Sequence, residues 1–312
     1  MSTLYLDRSG GELTCRDSQL VITHPGGRRT VPLALVERVV IAARTTFDSH
    51  LLGKLAEAGV AVTLLDIHRS RRRAQVLGHG HNDATLRLAQ YRAAGDPGRR
   101  LSWAKRLVTA KLRRQRRWLA SLRDERPDAR RHLDRATDRL RRLETAVPDT
   151  DALAALRSLE GSAGRAFFAA YRHLFPAGLG FDGRRRRPPP DPVNAALSLA
   201  YTLLHHRAVQ MAWAAGLDPL IGFYHETAWG RESLACDLIE PWRPCVEAWV
   251  YGWFRSRWLD ATHFRRKGDT CLLGKAGRQR FFAAFEHQVK PVQRALRRQA
   301  AHLAAELRET GQ

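Results

Sequence analysis

The spacing of hydrophobic residues changes once along this chain and divides it into two parts. Before residue 83, short runs rich in Val, Ile and Thr alternate with turn residues, a pattern that predicts β-strands. The predicted strands cover residues 3–7, 12–16, 19–24, 29–33, 37–44, 60–66 and 73–78. One short helix is predicted over 50–58, capped by Ser49 and ended by Gly59.

From Asp83 onward the hydrophobic residues recur with a helical period. Helices are predicted over residues 85–94, 99–122, 127–143, 153–163, 194–216, 233–258 and 281–307. Pro241 and Pro244 are expected to kink the helix that contains them. The predicted fold class is therefore α+β, with a small β-rich N-terminal domain over 1–82 and a larger all-α domain over 83–312.

Composition limits the classes of protein that fit. Hydrophobic residues make up 44% of the 312 residues, which is typical of a globular protein and argues against disorder throughout. No signal segment opens the chain, and no apolar stretch approaches the ~20 residues needed to cross a bilayer. The four scattered cysteines are expected to be reduced thiols, so the sequence predicts a cytoplasmic protein without a membrane contact.

The chain is strongly basic. It has 53 Lys and Arg against 31 Asp and Glu, a net charge of +22, and residues 99–142 hold 17 of the cations and 5 of the anions. This surplus favours nucleic acid as the partner over a membrane surface, which would require a broad apolar face on the same helix. An ordinary solvated helix is the alternative. The expected DNA contacts are the arginines of two further runs: Arg71, Arg72, Arg73, Arg184, Arg185, Arg186 and Arg187.

Four side chains are candidates for chemistry. Asp237 and Glu240 are three apart on a predicted helix, so both carboxylates lie on one face. His225 lies in a loop before that helix, and Glu160 stands beside an apolar stripe. Carboxylates repel phosphates unless a cation lies between them, so this set predicts a divalent-metal site that acts on a phosphodiester. Taken singly, each residue also fits an ordinary surface or core position.

Several stretches resemble, in order, the CRISPR-associated spacer integrase, the DNA-joining protein of the CRISPR adaptation module. Residues 86–91 resemble the segment that links its β domain to its helices, and residues 159–165 resemble its first metal-ligand helix. Residues 184–204 resemble its arginine–proline loop and the helix after it. Residues 219–225 resemble its histidine loop, and residues 233–244 its acidic helix. The resemblance covers almost the whole chain.

The resemblance implies that Glu160, His225 and Glu240 bind Mg²⁺ or Mn²⁺, and that Asp237 is a neighbouring catalytic acid that ligates or positions. It implies an integrase and endonuclease that joins the 3′-OH of a short foreign DNA fragment, a spacer, to a phosphodiester of a CRISPR array. No nucleotide cofactor is required. The implied assembly is a homodimer through the N-terminal domain, with two dimers bridged by a small companion subunit.

Two other functions fit the same residues. A structure-selective nuclease of branched DNA would use the same metal site, with water in place of the 3′-OH. A non-catalytic DNA-bridging protein would keep the acids as structural residues. Loss of metal-dependent activity in Glu160→Ala would exclude the bridging protein.

Overall fold

The computed structural model of the chain describes residues 2–24, 26–66, 71–78, 83–185 and 188–309. The chain divides into two units, Met1–Asn82 and Asp83–Gln312. Short strands dominate the described part of the first unit and helices that of the second, so the predicted α+β class is confirmed.

The first unit contains two four-stranded sheets, one α-helix and a short 3-10 helix, Leu33–Leu35, within its described residues. Its elements are β1 (Ser2–Leu6), β2 (Gly11–Arg16), β3 (Gln19–His24), β4 (Gly27–Pro32), β5 (Val36–Ile41), β6 (Thr45–Thr46), α1 (Ser49–Glu57), β7 (Ala61–Asp66) and β8 (Arg71–Val76). The strand orders are β4-β3-β2-β6 and β1-β5-β7-β8. The prediction that Ser49 caps α1 is wrong: the preceding Asp48 accepts the N–H of Leu51 at 2.7 Å.

Alternating apolar residues build the core of the first unit. Leu13 of β2, Leu20 of β3 and Val39 of β5 are fully buried, together with Leu51 and Leu55 of α1. The turn between β2 and β3 consists of two residues with φ of 47° and 58°, the left-handed conformation that matches the twist of a tight hairpin.

The second unit is built from long helices. They are α2 (Ala84–Gly95), α3 (Pro97–Ser121), α4 (Arg130–Ala146), α5 (Leu153–Tyr171), α6 (Pro192–Ala214), α7 (Ser233–Ile239), α8 (Arg243–Arg255) and α9 (Lys275–Glu309). A 3-10 turn, Glu240–Trp242, separates α7 from α8. The turn contains Pro241, and Pro244 follows in the first turn of α8, so the expected kink lies at the two prolines.

A β-hairpin interrupts the helical unit and was missing from the predicted all-α domain. It consists of β9 (Phe264–Lys267) and β10 (Thr270–Leu273), joined at Gly268 and Asp269. Each strand has only four residues, too few to show a period-two pattern. The N–H of Cys271 donates to the carbonyl of Pro189 at 2.7 Å, which ties β10 to the loop before α6.

Helix α6 is the centre of the second unit. Apolar residues cover almost its whole circumference, as expected for a helix buried on all sides, and it packs against α7, α8 and α9. Helices α3 and α5 pack against each other, and α3 also contacts the 3-10 turn. Polar side chains of these last three elements can therefore meet. No helix in the described residues is long and apolar enough to cross a membrane.

Candidate active site

Three separate elements bring one lysine and two glutamates into contact. Lys111 lies in α3, Glu160 in α5 and Glu240 in the 3-10 turn. The Lys111 ammonium donates to Glu160 Oε1 and, at 2.7 Å, to Glu240 Oε2. Because the Lys111 side chain is only 10% exposed, this ionic cluster is largely removed from water.

His225 joins the cluster beside Glu240. Its Nε2 lies 3.8 Å from Glu240 Oε1, and its Nδ1 lies 2.7 Å from Asp237 Oδ1. An ionised carboxylate can only accept a hydrogen bond, so Nδ1 donates to Asp237. In the neutral ring this leaves the lone pair on Nε2, and the imidazole is oriented as a ligand or proton acceptor toward Glu240.

Asp237 shapes the loop that carries His225. Its Oδ2 accepts the N–H groups of Phe223 at 2.6 Å and Tyr224 at 2.9 Å, and its Oδ1 accepts the N–H of His225 at 2.9 Å. The side chain is buried. Because both oxygens are occupied by loop donors and the His225 ring, Asp237 acts as a positioning residue in this arrangement.

The charges of the cluster hold it in its ionised form. Burial opposes ionisation of Glu240, but Arg243, with Nε 2.6 Å from Oε1, and Lys111 outweigh burial and lower the pKa of this carboxyl. Burial alone would lower the pKa of Lys111, but the carboxylates of Glu240 and Glu160 raise it above its ordinary value. Burial, followed by the charges of the two glutamates, raises the pKa of the Tyr224 hydroxyl.

A cavity of about 600 Å³ lies beside the cluster. Its lining includes Lys111, Gln115, Glu160, Tyr201 and Glu247. Glu247 lies in α8, and its Oε1 accepts the Tyr201 hydroxyl at 2.7 Å. Its Oε2 is buried and has no hydrogen-bond partner among the described residues. Burial raises the pKa of the Glu247 carboxyl above its ordinary value.

Sequence reasoning missed Lys111 and Glu247. Lys111 is one of the 17 cations of residues 99–142, so its charge did not distinguish it. Its spacing did, because Leu107 lies four residues before it on the same buried face of α3. Glu247 is the one acidic residue of α8, and its neighbours in sequence are apolar or aromatic. In both cases the signal was a charge at a position where the helical period requires a buried residue.

The donor set suits a hard divalent cation, but a lysine occupies the place between the donors. Carboxylate oxygens and an imidazole nitrogen are ligands for Mg²⁺ or Mn²⁺. Within the described ranges, no three His, Cys, Asp or Glu side chains are placed to hold one ion as they stand. The Lys111 ammonium is a stand-in cation between Glu160 and Glu240, so the donors fit a metal once the ammonium has moved.

The first predicted arginine run lies in β8 of the first unit. Arg73 pairs with Asp66 at 3.0 Å, and Arg72 donates to the side-chain oxygen of Gln75. The side chain of Arg71 lies outside the described part of the structure. The described arginines of this run are thus held within their own unit.

The second predicted arginine run lies in the loop before α6. Arg184 donates to Asn194 Oδ1 at 2.9 Å, and the backbone N–H of Arg185 donates to the same oxygen at 2.8 Å. Arg186 and Arg187 lie outside the described residues. Asn194 therefore fastens the loop to α6, and Arg184 also lines the cavity beside the ionic cluster.

A row of exposed arginines follows one face of α4, within the basic segment noted in the sequence. This α4 arginine stripe consists of Arg131, Arg135, Arg139 and Arg142. Residues three or four apart on a helix share a face. The neighbouring Arg130 and Arg141 pair with Asp134 and Asp138, whereas the stripe enters no ion pair with described residues. The stripe presents unbalanced positive charge to solvent.

Comparison with known proteins gives one family. The profile of the family described as CRISPR associated protein Cas1 matches residues 4–287. A protein of Thermodesulfovibrio yellowstonii named CRISPR-associated endonuclease Cas1 1 is 35% identical over 295 residues. That alignment covers 93% of this chain and 92% of the relative.

Solved structures share the fold at lower sequence identity. A Cas1 protein from Thermotoga maritima has a TM-score of 0.85 and 20% identity, covering 98% of this chain and 97% of that one. A casposase bound to its integration product has a TM-score of 0.82 and 20% identity, covering 98% and 91%. A chain of a Cas6-RT-Cas1–Cas2 complex has a TM-score of 0.85 and 22% identity, covering 99% and 35%.

Proposed function

Because the chain belongs to the Cas1 family of CRISPR-associated proteins, we propose that it is a metal-dependent DNA integrase and endonuclease that inserts short foreign DNA fragments into a CRISPR array. The observation that supports the proposal is that the Lys111 ammonium bridges Glu160 and Glu240, while His225 Nε2 lies 3.8 Å from Glu240 Oε1. Lys111, Glu160 and Glu240 come from three elements of the chain. The name of the Thermodesulfovibrio relative, an endonuclease, supports the coarser activity.

The proposed reaction exchanges one phosphate ester for another. The 3′-OH of the fragment attacks a phosphorus of the repeat, a new P–O bond forms, and the bond to the 3′ oxygen of the repeat strand breaks. The proton of the attacking hydroxyl is lost and the departing oxygen gains one, so no nucleotide is consumed. Asp237 holds the His225 ring by Nδ1, which keeps Nε2 directed at the reacting region.

Glu160, Glu240 and His225 Nε2 are the residues that would hold Mg²⁺ or Mn²⁺. When bound, the ion supplies a Lewis acid that stabilises charge on the phosphate and favours ionisation of the hydroxyl. Arg243 shares Glu240 Oε1 and remains beside the site. Its positive charge keeps Glu240 ionised and available to a cation.

Double-stranded DNA is the proposed substrate class. The net charge of +22 favours a polyanion, and the α4 arginine stripe presents a row of cations about 16 Å long, at the helical rise of about 1.5 Å per residue. Such contacts to phosphates position DNA and carry little sequence information. The arginine runs Arg71–Arg73 and Arg184–Arg187 are proposed as further contacts.

The proposed assembly is a homodimer through the first unit, bridged to a second dimer by a Cas2-type companion subunit. The two sheets of this unit end in the edge strands β1, β8, β4 and β6. Edge strands carry unpaired backbone groups that a second subunit can cover. The solved Cas6-RT-Cas1–Cas2 complex supports the companion, because a chain of that complex shares this fold.

An integration assay tests the proposal. A labelled fragment is joined to a repeat-bearing plasmid with Mg²⁺ or Mn²⁺, with and without the companion subunit. We expect Glu160→Gln, Glu240→Gln and His225→Ala to reduce joining at least a hundredfold, while fragment binding stays within threefold of wild type. Glu306→Gln is the matched control, because this partly exposed acid pairs with Arg106 and lies outside the cluster. Full joining by Glu160→Gln, or joining in excess EDTA, contradicts the proposed function.

The second candidate is a structure-selective nuclease of branched DNA. The endonuclease name of the relative favours it, since hydrolysis and joining need the same groups and differ only in the attacking oxygen. The two are separated in one experiment by the products from a branched substrate. Cleavage without any joined product, dependent on Glu160, would favour the nuclease.

A further inference from the structure

Lys111 stands where the proposed function requires a metal. Its ammonium touches Glu160 and Glu240 together, inside a cluster largely removed from water. An ammonium and a divalent cation repel each other strongly at a separation of a few ångströms when little water screens them. Binding of a metal by these two carboxylates therefore requires Lys111 to leave them.

Two buried acceptors without partners line the same cavity as Lys111. They are Glu247 Oε2 and Gln115 Oε1, and neither has a hydrogen-bond partner among the described residues. Buried polar atoms are nearly always hydrogen-bonded, because an unpaired one loses its water without compensation. A hydrogen bond from the Gln115 side chain is among the causes that oppose the rise in the Glu247 pKa, so the two residues are neighbours, yet Glu247 Oε2 and Gln115 Oε1 themselves remain without a donor.

Lys111 is the side chain placed to be that donor. Gln115 follows it by one turn of α3, so the acceptor and the lysine stem share a helix face. Burial raises the pKa of Glu247, and the charge of Lys111 is among those that oppose this rise, so the two groups already interact. The four-carbon stem of a lysine is flexible and its ammonium carries three donors.

We propose, resting on the proposed function, that Lys111 has two positions. Without metal, its ammonium lies between Glu160 and Glu240. When a divalent cation binds these carboxylates, the ammonium moves to Glu247 Oε2 and Gln115 Oε1. Lys111 is then a positioning residue: it holds the two ligands together before the metal arrives, and its movement completes the hydrogen bonding of Glu247.

The first test is the affinity for Mn²⁺, measured by calorimetry on the full chain without DNA. We expect Lys111→Met to bind Mn²⁺ at least tenfold more tightly than wild type, because no ammonium competes for the carboxylates. Lys105→Met is the matched control on the same helix, since its ammonium donates to the carbonyl of Pro148 and should leave the affinity unchanged. Equal or weaker binding by Lys111→Met overturns the first position.

The second position is tested by combining two changes. Glu247→Gln should weaken Mn²⁺ binding through the loss of a nearby negative charge in any background. In the presence of Lys111 it should weaken binding at least fivefold more than in Lys111→Met, because the displaced ammonium then has no carboxylate to reach. Equal effects of Glu247→Gln in the two backgrounds overturn the second position.

A crystal structure of the unaltered protein with Mn²⁺ decides the question even if Lys111→Met does not fold. Lys111 Nζ within hydrogen-bond distance of Glu247 Oε2 supports the inference, and Nζ still between Glu160 and Glu240 overturns it. Mn²⁺ binding that passes these tests without any joining contradicts the proposed function and leaves the inference standing. Joining by the wild-type protein, together with an unchanged Mn²⁺ affinity in Lys111→Met, overturns the inference and leaves the proposed function standing. If neither wild type nor Lys111→Met binds Mn²⁺, both the inference and the proposed function are overturned.

Discussion

At the scale of single residues, Asp237 and Gly222 together determine the shape of the His225 loop. Asp237 accepts three backbone N–H groups and the ring N–H of His225. The loop can approach so closely only because residue 222 has no side chain. A Cβ there would lie 2.8 Å from Asp237 Oδ2 and 2.7 Å from the carbonyl carbon of Ser233. The orientation of the imidazole thus depends on a glycine three residues away.

Gly222→Ala should therefore disturb the geometry of the site without changing any of its charged side chains. We expect the free energy of unfolding to fall by about 1–3 kcal/mol, the usual result of overpacking a close contact, and joining to fall at least tenfold. Urea unfolding and the integration assay measure the two effects. Gly252→Ala in α8 is the control, because its Cβ would meet no atom within 4 Å. An unchanged joining rate in Gly222→Ala would contradict this account of the loop.

The candidate site was only partly predictable from the sequence. The i,i+3 spacing of Asp237 and Glu240 was visible, but spacing alone does not separate a ligand from a carboxylate that accepts loop N–H groups. The resemblance proposed Glu160 and His225; in the structure Glu160 shares Lys111 with Glu240, and His225 Nε2 lies 3.8 Å from Glu240 Oε1. Lys111 could not be singled out, because an isolated sequence does not show which of many cations faces inward.

At the scale of elements, an aspartate begins several helices. Asp83, Asp96 and Asp191 accept the N–H three residues later, at 3.1, 2.9 and 2.8 Å, and so cap α2, α3 and α6. A negative charge at this end is also favoured by the helix dipole. These caps place the starts of the helices that carry Lys111 and line the cavity.

The cap of α2 predicts an acid-dependent loss of stability. Hydrogen bonds from Thr85 and from the Leu86 N–H lower the pKa of Asp83 to about 2, against 3.8 for an ordinary aspartate. A carboxyl with a lowered pKa stabilises the fold fully above pH 3.8, and this contribution disappears as the pH falls through 2. The melting temperature of wild type should therefore exceed that of Asp83→Asn at pH 6, and the difference should shrink below pH 3.8 and vanish below pH 2. Asp149 is exposed and caps no helix, so Asp149→Asn is the control. A melting-temperature difference between wild type and Asp83→Asn that stays constant as the pH is lowered would contradict the prediction.

Long elements were predicted better than short ones. Helical periodicity predicted α3, α5, α6 and α9. The helix predicted over 281–307 includes Pro291, and α9 does continue through this proline. The hairpin of β9 and β10 was missed, because four-residue strands carry too little pattern and are stabilised by contacts distant in sequence, such as that of Cys271 with Pro189.

The α4 arginine stripe predicts the salt dependence of DNA binding. Each phosphate contact contributes about 0.9 to the slope of log affinity against log salt. Arg131→Gln with Arg139→Gln should therefore reduce this slope by about 2, measured by fluorescence anisotropy on duplexes of two unrelated sequences. Arg130→Gln with Arg141→Gln removes the same charge from the same helix, but these arginines are already paired with aspartates. Equal slopes for the two double variants would exclude the stripe as a DNA contact.

At the scale of the whole molecule, charge and assembly are linked. A chain with net charge +22 repels its own copies, so a dimer of it requires a specific interface. The edge strands of the first unit offer backbone pairing that does not depend on side-chain charge. Two copies would also supply two active sites, one for each end of a fragment.

We accordingly expect a homodimer in solution. Light scattering at micromolar concentration should give twice the chain mass of 35.3 kDa, and the mass should remain doubled at high salt, where repulsion between copies is screened. Adding DNA should not be required for the pairing. A single-chain mass under these conditions, in protein that still joins both ends of a fragment, would contradict the proposed assembly.

The lysine between the two glutamates also bears on how the protein matures in the cell. A buried pair of carboxylates with no counter-ion would hinder folding until an ion was captured from outside. This chain carries its own counter-ion, Lys111, so we expect a newly made molecule to fold in the absence of free metal. Under the proposed function, biogenesis and activation would then be separate, because the supply of divalent ions would govern when the protein works and not whether it folds.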